Sequence, residues 1–247
     1  MNSQSREQVY TRKYYADMYN ARREHAARET LRIVLPLVWP IRSAIDVGCG
    51  AGVWTKVLLD SGIEKVTGMD GSWMKPEDLL FPRHMWCKID LEKEEELGMK
   101  AEMVMCLEVA EHLKRRAGEN LIRMLAEAAP VVLFSAAIPG QKGDRHVNTQ
   151  WQSYWAGLFK SHGMIAFDVV RHLLWGDAAV PTFYKQNVVV YADPERTDTE
   201  RLGKAAAAHY LDRMEEDGLK LKIKPLAKKK ENNGNGEKRS RTEGPML

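Results

Sequence analysis

Three glycines at alternate positions, Gly48, Gly50 and Gly52, follow Asp46 at the end of the short apolar run that starts at Ala44. A backbone without Cβ atoms turns sharply there and comes close to a bound molecule. A helix-like segment starts immediately behind them at Val53, and the free N–H groups of a helix N-terminus suit a carboxylate. Cys49 fits this turn as a small residue without redox meaning. The spacing G-x-G-x-G departs from the G-x-G-x-x-G of dinucleotide-binding turns, and no Gly-Lys-Ser/Thr ending marks a phosphate loop. Two acids fall in phase with the turn: Asp70, 20 residues beyond Gly50, and Asp90, each closing a strand-like run. A carboxylate at Asp70 can accept hydrogen bonds from both hydroxyls of a ribose. Either acid alone reads as an ordinary strand-end turn residue. Both together, in step with the glycine turn, do not.

A second constellation is Glu108, Glu111 and His112, in the segment from Cys106 to Leu113. With 109–116 read as helical, spacings of three and four place all three on one face. Two carboxylates and an imidazole could hold a divalent ion, and they serve equally to cap and pack a helix; no metal is assigned on these residues. A third group surrounds His146, with Asn148 and Gln150 beside it in the polar stretch 138–149. Imidazole titrates near neutrality, so His146 is the leading candidate for a general base, with Glu111 and His112 counted beside it. The alternative is a histidine that bonds its own loop. Trp151 and Trp155, four apart, read as one packed helix face rather than an aromatic cage. Tyr14, Tyr15 and Tyr19 are either a lid or the packed face of a first helix.

The acid and glycine turn from Asp46 to Gly52 resembles the first motif of class I S-adenosylmethionine-dependent methyltransferases, and Glu108 to Leu113 resembles that family's E-V-x-E-H-L segment. The resemblance implies S-adenosyl-L-methionine as methyl donor. Asp46 would hold its amino group or the loop, the glycine turn its methionine part, Asp70 its ribose and Asp90 its adenine amino group. Trp73 would lie against the adenine face, or else be a packed tryptophan. Gly71, Leu91 and Leu107, beside these acids and at the strand ends, complete the implied donor site. Phe134 to Gln141 reads F-S-A-A-I-P-G-Q and His146 to Trp151 reads H-V-N-T-Q-W, similar to a bacterial subgroup of small methyltransferases. Thr149 and Gln152 stand where that subgroup has Glu and Pro, and Asp144 and Arg145 precede the histidine. Tyr184 to Asn187 matches its Y-x-Q-N. The resemblance spans about residues 8–192 and fixes no acceptor.

Strand-like and helix-like segments alternate in a way that can position these residues. Strands are expected at Ser43–Val47, Lys65–Met69, Arg83–Ile89, Met103–Leu107, Val131–Ala136, Ile165–Val170 and Asn187–Tyr191, with helices at Val53–Asp60, Glu119–Ala128, Trp151–Ser161 and Glu195–Glu216. Helix-length crossovers mean a mainly parallel, doubly wound α/β sheet of seven strands with an N-terminal helical cap. Its ligand site belongs beyond the carboxyl ends of the strands, where the strand order reverses. Four regions are expected: a helical cap or lid over 1–40, the donor-binding core over 41–192, a terminal helix over 193–217 and a disordered basic tail over 218–247.

Bulk properties narrow the class further. The net charge of +3 conceals a tail from Gly218 with nine Lys/Arg against three Asp/Glu, which leaves the rest at −3. An acidic folded part disfavours nucleic acid as partner. The apolar run from Leu31 to Ile41 is too short for a membrane span. Cys49, Cys87 and Cys106 show no metal or disulfide spacing, so a reducing cytoplasm is the default. The expected function is methyl transfer to oxygen or nitrogen of a small molecule or sugar-containing metabolite, by a monomer or homodimer. RNA 2′-O-methylation and a catalytically silent donor-binding partner are the alternatives.

Overall fold

The computed structural model describes residues 21–216; the expectations for the tyrosines at 14, 15 and 19 and for the tail after Gly218 lie outside these residues. Helix α1 (Ala21–Val38) is followed by β1 (Ser43–Val47), α2 (Val53–Asp60), β2 (Lys65–Asp70), β3 (Trp86–Lys88) and β4 (Met103–Leu107). Then come α3 (Arg115–Ala128), β5 (Val131–Ser135), α4 (Gln152–Ser161), β6 (Ile165–Phe167), α5 (Arg171–Trp175), α6 (Thr182–Asn187), β7 (Val189–Ala192) and α7 (Glu200–Glu216). No helix among the described residues is long and apolar enough to cross a membrane.

The seven strands form one sheet in the order β3-β2-β1-β4-β5-β7-β6. Pairing is parallel from β3 through to β5, while β7 runs antiparallel to both β5 and β6. This is the doubly wound, mainly parallel arrangement expected. Every residue of β5 is buried, because a strand with helices on both faces has no wet side. The period of two then divides its side chains between two cores. Val131 and Leu133 join the layer of α1, α2 and α7; Val132 and Phe134 join the layer of α3 and α4. In the second layer the Phe134 ring meets Trp155 and Phe159 edge-on, each at 5.4 Å, and Tyr191 stacks on Phe159 at 3.9 Å.

Three expectations are corrected. Residues 109–116 are not one helix: a single 3₁₀ turn covers Ala110–His112, and α3 starts only at Arg115. Glu108 has a left-handed backbone (φ 56°), its N–H directed at the Ser135 carbonyl at 2.9 Å, so no helix can run through it. Asn187 does not open the last strand but ends α6. The third strand is shorter than expected, since Arg83–Met85 form a 3₁₀ turn before it.

Candidate active site

The strand order reverses between β1 and β4, and a cleft opens beyond their carboxyl ends. Asp46, Gly48, Cys49, Ala51, Val53 and Trp54 line it, with Leu107 and Glu108 from the end of β4. Arg23 of α1 and Tyr184 of α6 complete the lining.

The glycine turn is built around positive backbone angles. Gly48 has φ 76°, and a Cβ there would lie 2.3 Å from Val109 Cγ2. Gly52 has φ 86° and is the N-terminal cap of α2; a Cβ would strike the Phe81 ring at 2.2 Å. No side chain fits at either position. Phe81, unremarked in the sequence, is what closes the turn from behind.

Asp46 is buried beneath this turn, its Oδ2 accepting a 2.7 Å hydrogen bond from Thr55 Oγ1. Burial, with a smaller contribution from the nearby Asp70 charge, raises its carboxyl to about 7 against the Thr55 bond. Asp70 accepts from the backbone N–H of Gly50 at 2.7 Å and of Gly71 at 2.6 Å. Burial lifts its carboxyl above the usual range, and those two donors, together with the Trp73 side chain, oppose the shift. The end of β2 is thus fastened to the turn by a carboxylate. Trp73 stands directly over Gly71, where a Cβ would meet its ring at 2.1 Å. Asp90 is half-exposed, pairing with Lys93 at 2.9 Å and capping the Glu92 N–H. Leu91 is buried in the α3/α4 core layer and does not line the cleft, whereas Leu107 does.

Glu108 does not share a helix face with Glu111 and His112. It lines the cleft, its carboxylate accepting from Asn187 Nδ2 at 3.1 Å and Gln141 Nε2 at 3.0 Å. Burial pushes this carboxyl up, against the bonds from Asn187, Ser135 and Gln141. The Y-x-Q-N segment therefore ends in an asparagine that orients Glu108. Glu111 is 1% exposed, its carboxyl next to that of Glu108 and within reach of the backbone N–H groups of Glu111 itself and of Ala137. Burial first, then the Glu108 charge, push its carboxyl well above the usual range. The His112 and His146 rings meet edge-on with centroids 5.0 Å apart. Atoms of Glu111, His112 and His146 that could ligate a metal all lie within 4.8 Å of one another.

The loop that carries His146 is tied to the same turn. Val147 and Asn148 donate their N–H groups to the Glu111 carbonyl at 2.8 and 3.1 Å. Asn148 is buried and reaches the Ala110 carbonyl, while Gln150 bonds Asn148 Oδ1 at 3.1 Å. Both amides, neighbours of His146 in the sequence, are engaged in building the loop. Sequence reasoning also missed Arg23 and Trp54, and gave Tyr184 no site role. Trp54 Nε1 donates to the Tyr184 hydroxyl at 3.2 Å, joining α2 to α6 across the cleft. Nothing local marks Arg23 among the arginines of its helix; only the fold brings α1 over the turn.

A search of curated protein sequences finds no match. Among solved structures, an amino pentose methyltransferase of calicheamicin biosynthesis from Micromonospora echinaspora matches at TM-score 0.52 and 14% identity, over 78% of this chain and 100% of its own. An O-methyltransferase family 2 protein from Planctomyces limnophilus matches at TM-score 0.53 and 14% identity, over 78% of this chain and 63% of its own. Human N-acetylserotonin methyltransferase matches at TM-score 0.52 and 11% identity, over 76% of this chain and 55% of its own. At these identities the likeness is one of fold. The methyltransferase domain family matches directly over residues 19–175, from the start of α1 to the end of α5, and the chain belongs to that family.

Proposed function

We propose that this methyltransferase takes its methyl group from S-adenosylmethionine and delivers it to an oxygen or nitrogen atom of a small polar acceptor, sugar-containing metabolites included. One observation carries the reading. The cleft at the switch point presents a buried carboxylate, Asp46, and a guanidinium, Arg23, around a glycine turn that has no room for side chains. Opposite charges in one cleft complement an amino acid's ammonium and carboxylate groups, and the turn gives the backbone close approach. The donor supplies an electrophilic methyl carbon on a sulfonium. Two of the solved neighbours are described as bound to or in complex with the same compound, which supports this choice.

Asp46 and Arg23 hold the amino acid end. Asp70 already accepts from Gly50, Gly71 and the Trp73 side chain, and its remaining lone pair accepts from the ribose. Asp90, half-exposed at the far end, takes the adenine amino group, with Trp73 beside it. Glu108, fixed by Asn187 and Gln141, borders the cleft on the acceptor side. Beyond it, Glu111, His112 and His146 are the groups that act on the acceptor's proton. His146 Nδ1 lies 3.2 Å from the Gln141 carbonyl. A carbonyl only accepts, so Nδ1 is the donating nitrogen of this contact and Nε2 is the one turned to other partners.

Asp70→Ala tests the donor half of this reading. Removing a charged acceptor of the ribose should weaken S-adenosylmethionine binding by about 1.5–3 kcal/mol, read by calorimetry. The same variant loses the Gly50 and Gly71 bonds, so its melting temperature should fall as well. Unchanged affinity would remove Asp70 from the donor site, and tight NAD binding to the wild type would overturn the reading altogether.

A further inference from the structure

We infer that the atom methylated is the nitrogen of a basic amine, set opposite the Glu108 carboxylate, and not a hydroxyl oxygen. The inference rests on the donor reading above and narrows its acceptor. Glu108 lines the cleft, and its left-handed backbone takes it out of any helix. Each of its oxygens faces an amide N–H, from Asn187 Nδ2 at 3.1 Å and from Gln141 Nε2 at 3.0 Å. Asn187 Nδ2 also donates to Gln141 Oε1 at 2.9 Å, which sets the orientation of the Gln141 amide. Donors on both oxygens suit a charged carboxylate. The adjoining Glu111 carboxyl, pushed well up by burial and then by the Glu108 charge, keeps its proton, so the pair carries one negative charge on Glu108. The side chains of Asn187, Ser135 and Gln141 that bond this carboxylate are all neutral.

The charges in the cleft then decide between nitrogen and oxygen. Asp46 is set against the donor's ammonium and Arg23 against its carboxylate, which leaves Glu108 to be matched by the sulfonium. A buried carboxylate with no cation to match it is costly. Transfer to an amine preserves the match. An amine that enters protonated first gives one proton to His146 and on to solvent. Its lone pair then forms the N–C bond, the C–S pair returns to sulfur as a neutral thioether, and the positive charge passes to the nitrogen. Transfer to a hydroxyl ends the match. The oxygen must shed its proton, which a carboxylate nearby opposes, and the reaction then cancels the sulfonium charge against the alkoxide. A second observation agrees. Asn187 is 2% exposed, and its Oδ1 receives no hydrogen bond among the described residues. An orphaned acceptor beside Glu108 suits a ligand N–H. An amine can donate there and keep its lone pair for the methyl carbon, whereas an alkoxide has no hydrogen to give.

The probe is a protein-free small-molecule extract of the source cells, divided in two. One half is treated with N-hydroxysuccinimidyl acetate to cap its amines, then with hydroxylamine to free any acetylated hydroxyls. Wild-type protein given S-adenosylmethionine with a labelled methyl group should pass label to the untreated half and not to the capped half. Mass spectrometry of the product should find the label on nitrogen. Equal labelling of both halves, or an O-methyl product, would overturn the inference and leave the methyltransferase reading intact. No label in either half, from protein that binds the donor by calorimetry, would overturn it too. Protein that does not bind the donor at all would instead sink the reading beneath it.

Glu108→Gln tests the charge itself. With the amine found in the extract, kcat/KM should fall by roughly 10²–10³-fold, the scale of losing one preorganised electrostatic partner of the transition state. Affinity for neutral S-adenosylhomocysteine, read by calorimetry, should stay as in the wild type and shows that the variant is folded. Undiminished kcat/KM in that variant would remove Glu108 from the acceptor site. The extract comparison uses wild-type protein and decides between nitrogen and oxygen whether or not the variant folds.

Discussion

Asp46 sits under the glycine turn with one hydroxyl partner and a carboxyl raised to about 7 by burial. A carboxyl whose pKa is higher folded than unfolded binds an extra proton in the folded state between the two values. Its favourable effect is complete below about pH 4 and is lost as pH rises to about 7, a change of about 4 kcal/mol at roughly 1.4 kcal/mol per unit. Asp46→Asn should therefore flatten the decline in denaturation free energy across that window, and an unchanged slope would show that Asp46 titrates normally. A donor ammonium beside Asp46 favours its charged form. Donor affinity should accordingly increase with pH up to about 7 and then level, and this dependence should vanish in the variant. At this scale the sequence was most informative about residues next to each other in the chain. Asp46, Gly48, Gly52 and Asp70 were legible because strand, turn and helix dictate one another locally. Arg23 and Tyr184 were not, since each reaches the cleft from a helix whose own pattern says nothing about what it covers.

Helix α1 lies over the cleft because its first turn is anchored to the loop after α5. Arg22 donates to the carbonyls of Ala178 and Ala179 at 3.0 and 3.1 Å, and His25 Nε2 meets Asp177 Oδ2 at 2.6 Å. Arg23 stands between these two anchors. The His25 and Asp177 pair is well exposed, so its worth to overall stability is small. Its effect should be local instead. Asp177→Ala should speed hydrogen exchange at residues 21–25 and weaken donor binding through Arg23, with little change in melting temperature. Unaltered exchange there would mean that α1 is held by its apolar face alone, through Ala27, Leu31 and Val34. Long elements such as α3 were readable from their periodicity. The short ones were not: six residues in α6 and three in the turn at Ala110–His112 give no period to read. The consequence was functional, because the expected helix face for Glu108, Glu111 and His112 depended on that segment. The left-handed Glu108 instead sends one carboxylate to the cleft and leaves the other with the histidines.

Across the whole molecule the sheet follows chain order only in part, for β7 is wedged between β5 and β6. Hydrophobic runs and turns identified the seven strands, but no local signal could place the last between two earlier ones. That placement is decided by long-range pairing of Val131–Phe134 with Val189–Ala192. A chain truncated after Asn187 keeps the glycine turn, Asp70 and the acceptor loop, yet leaves β5 with one row of backbone groups unpaired. Such a fragment should be recovered largely as aggregate, while the full chain stays dispersed; light scattering would distinguish them.

The same wedge sets a timetable for biosynthesis. β5 is complete once Ser135 has been translated, but its outer partner ends at Ala192, 57 residues later. At about 5–20 residues per second that leaves roughly 3–11 seconds in which a strand of Val, Val, Leu and Phe has no neighbour on one side. β6 emerges earlier but has no hydrogen bonds to offer β5, because its register is with β7. The nascent chain is thus most exposed to mispairing after nearly every residue of its donor cleft has been made, and a ribosome-associated holdase would have its natural client in that interval.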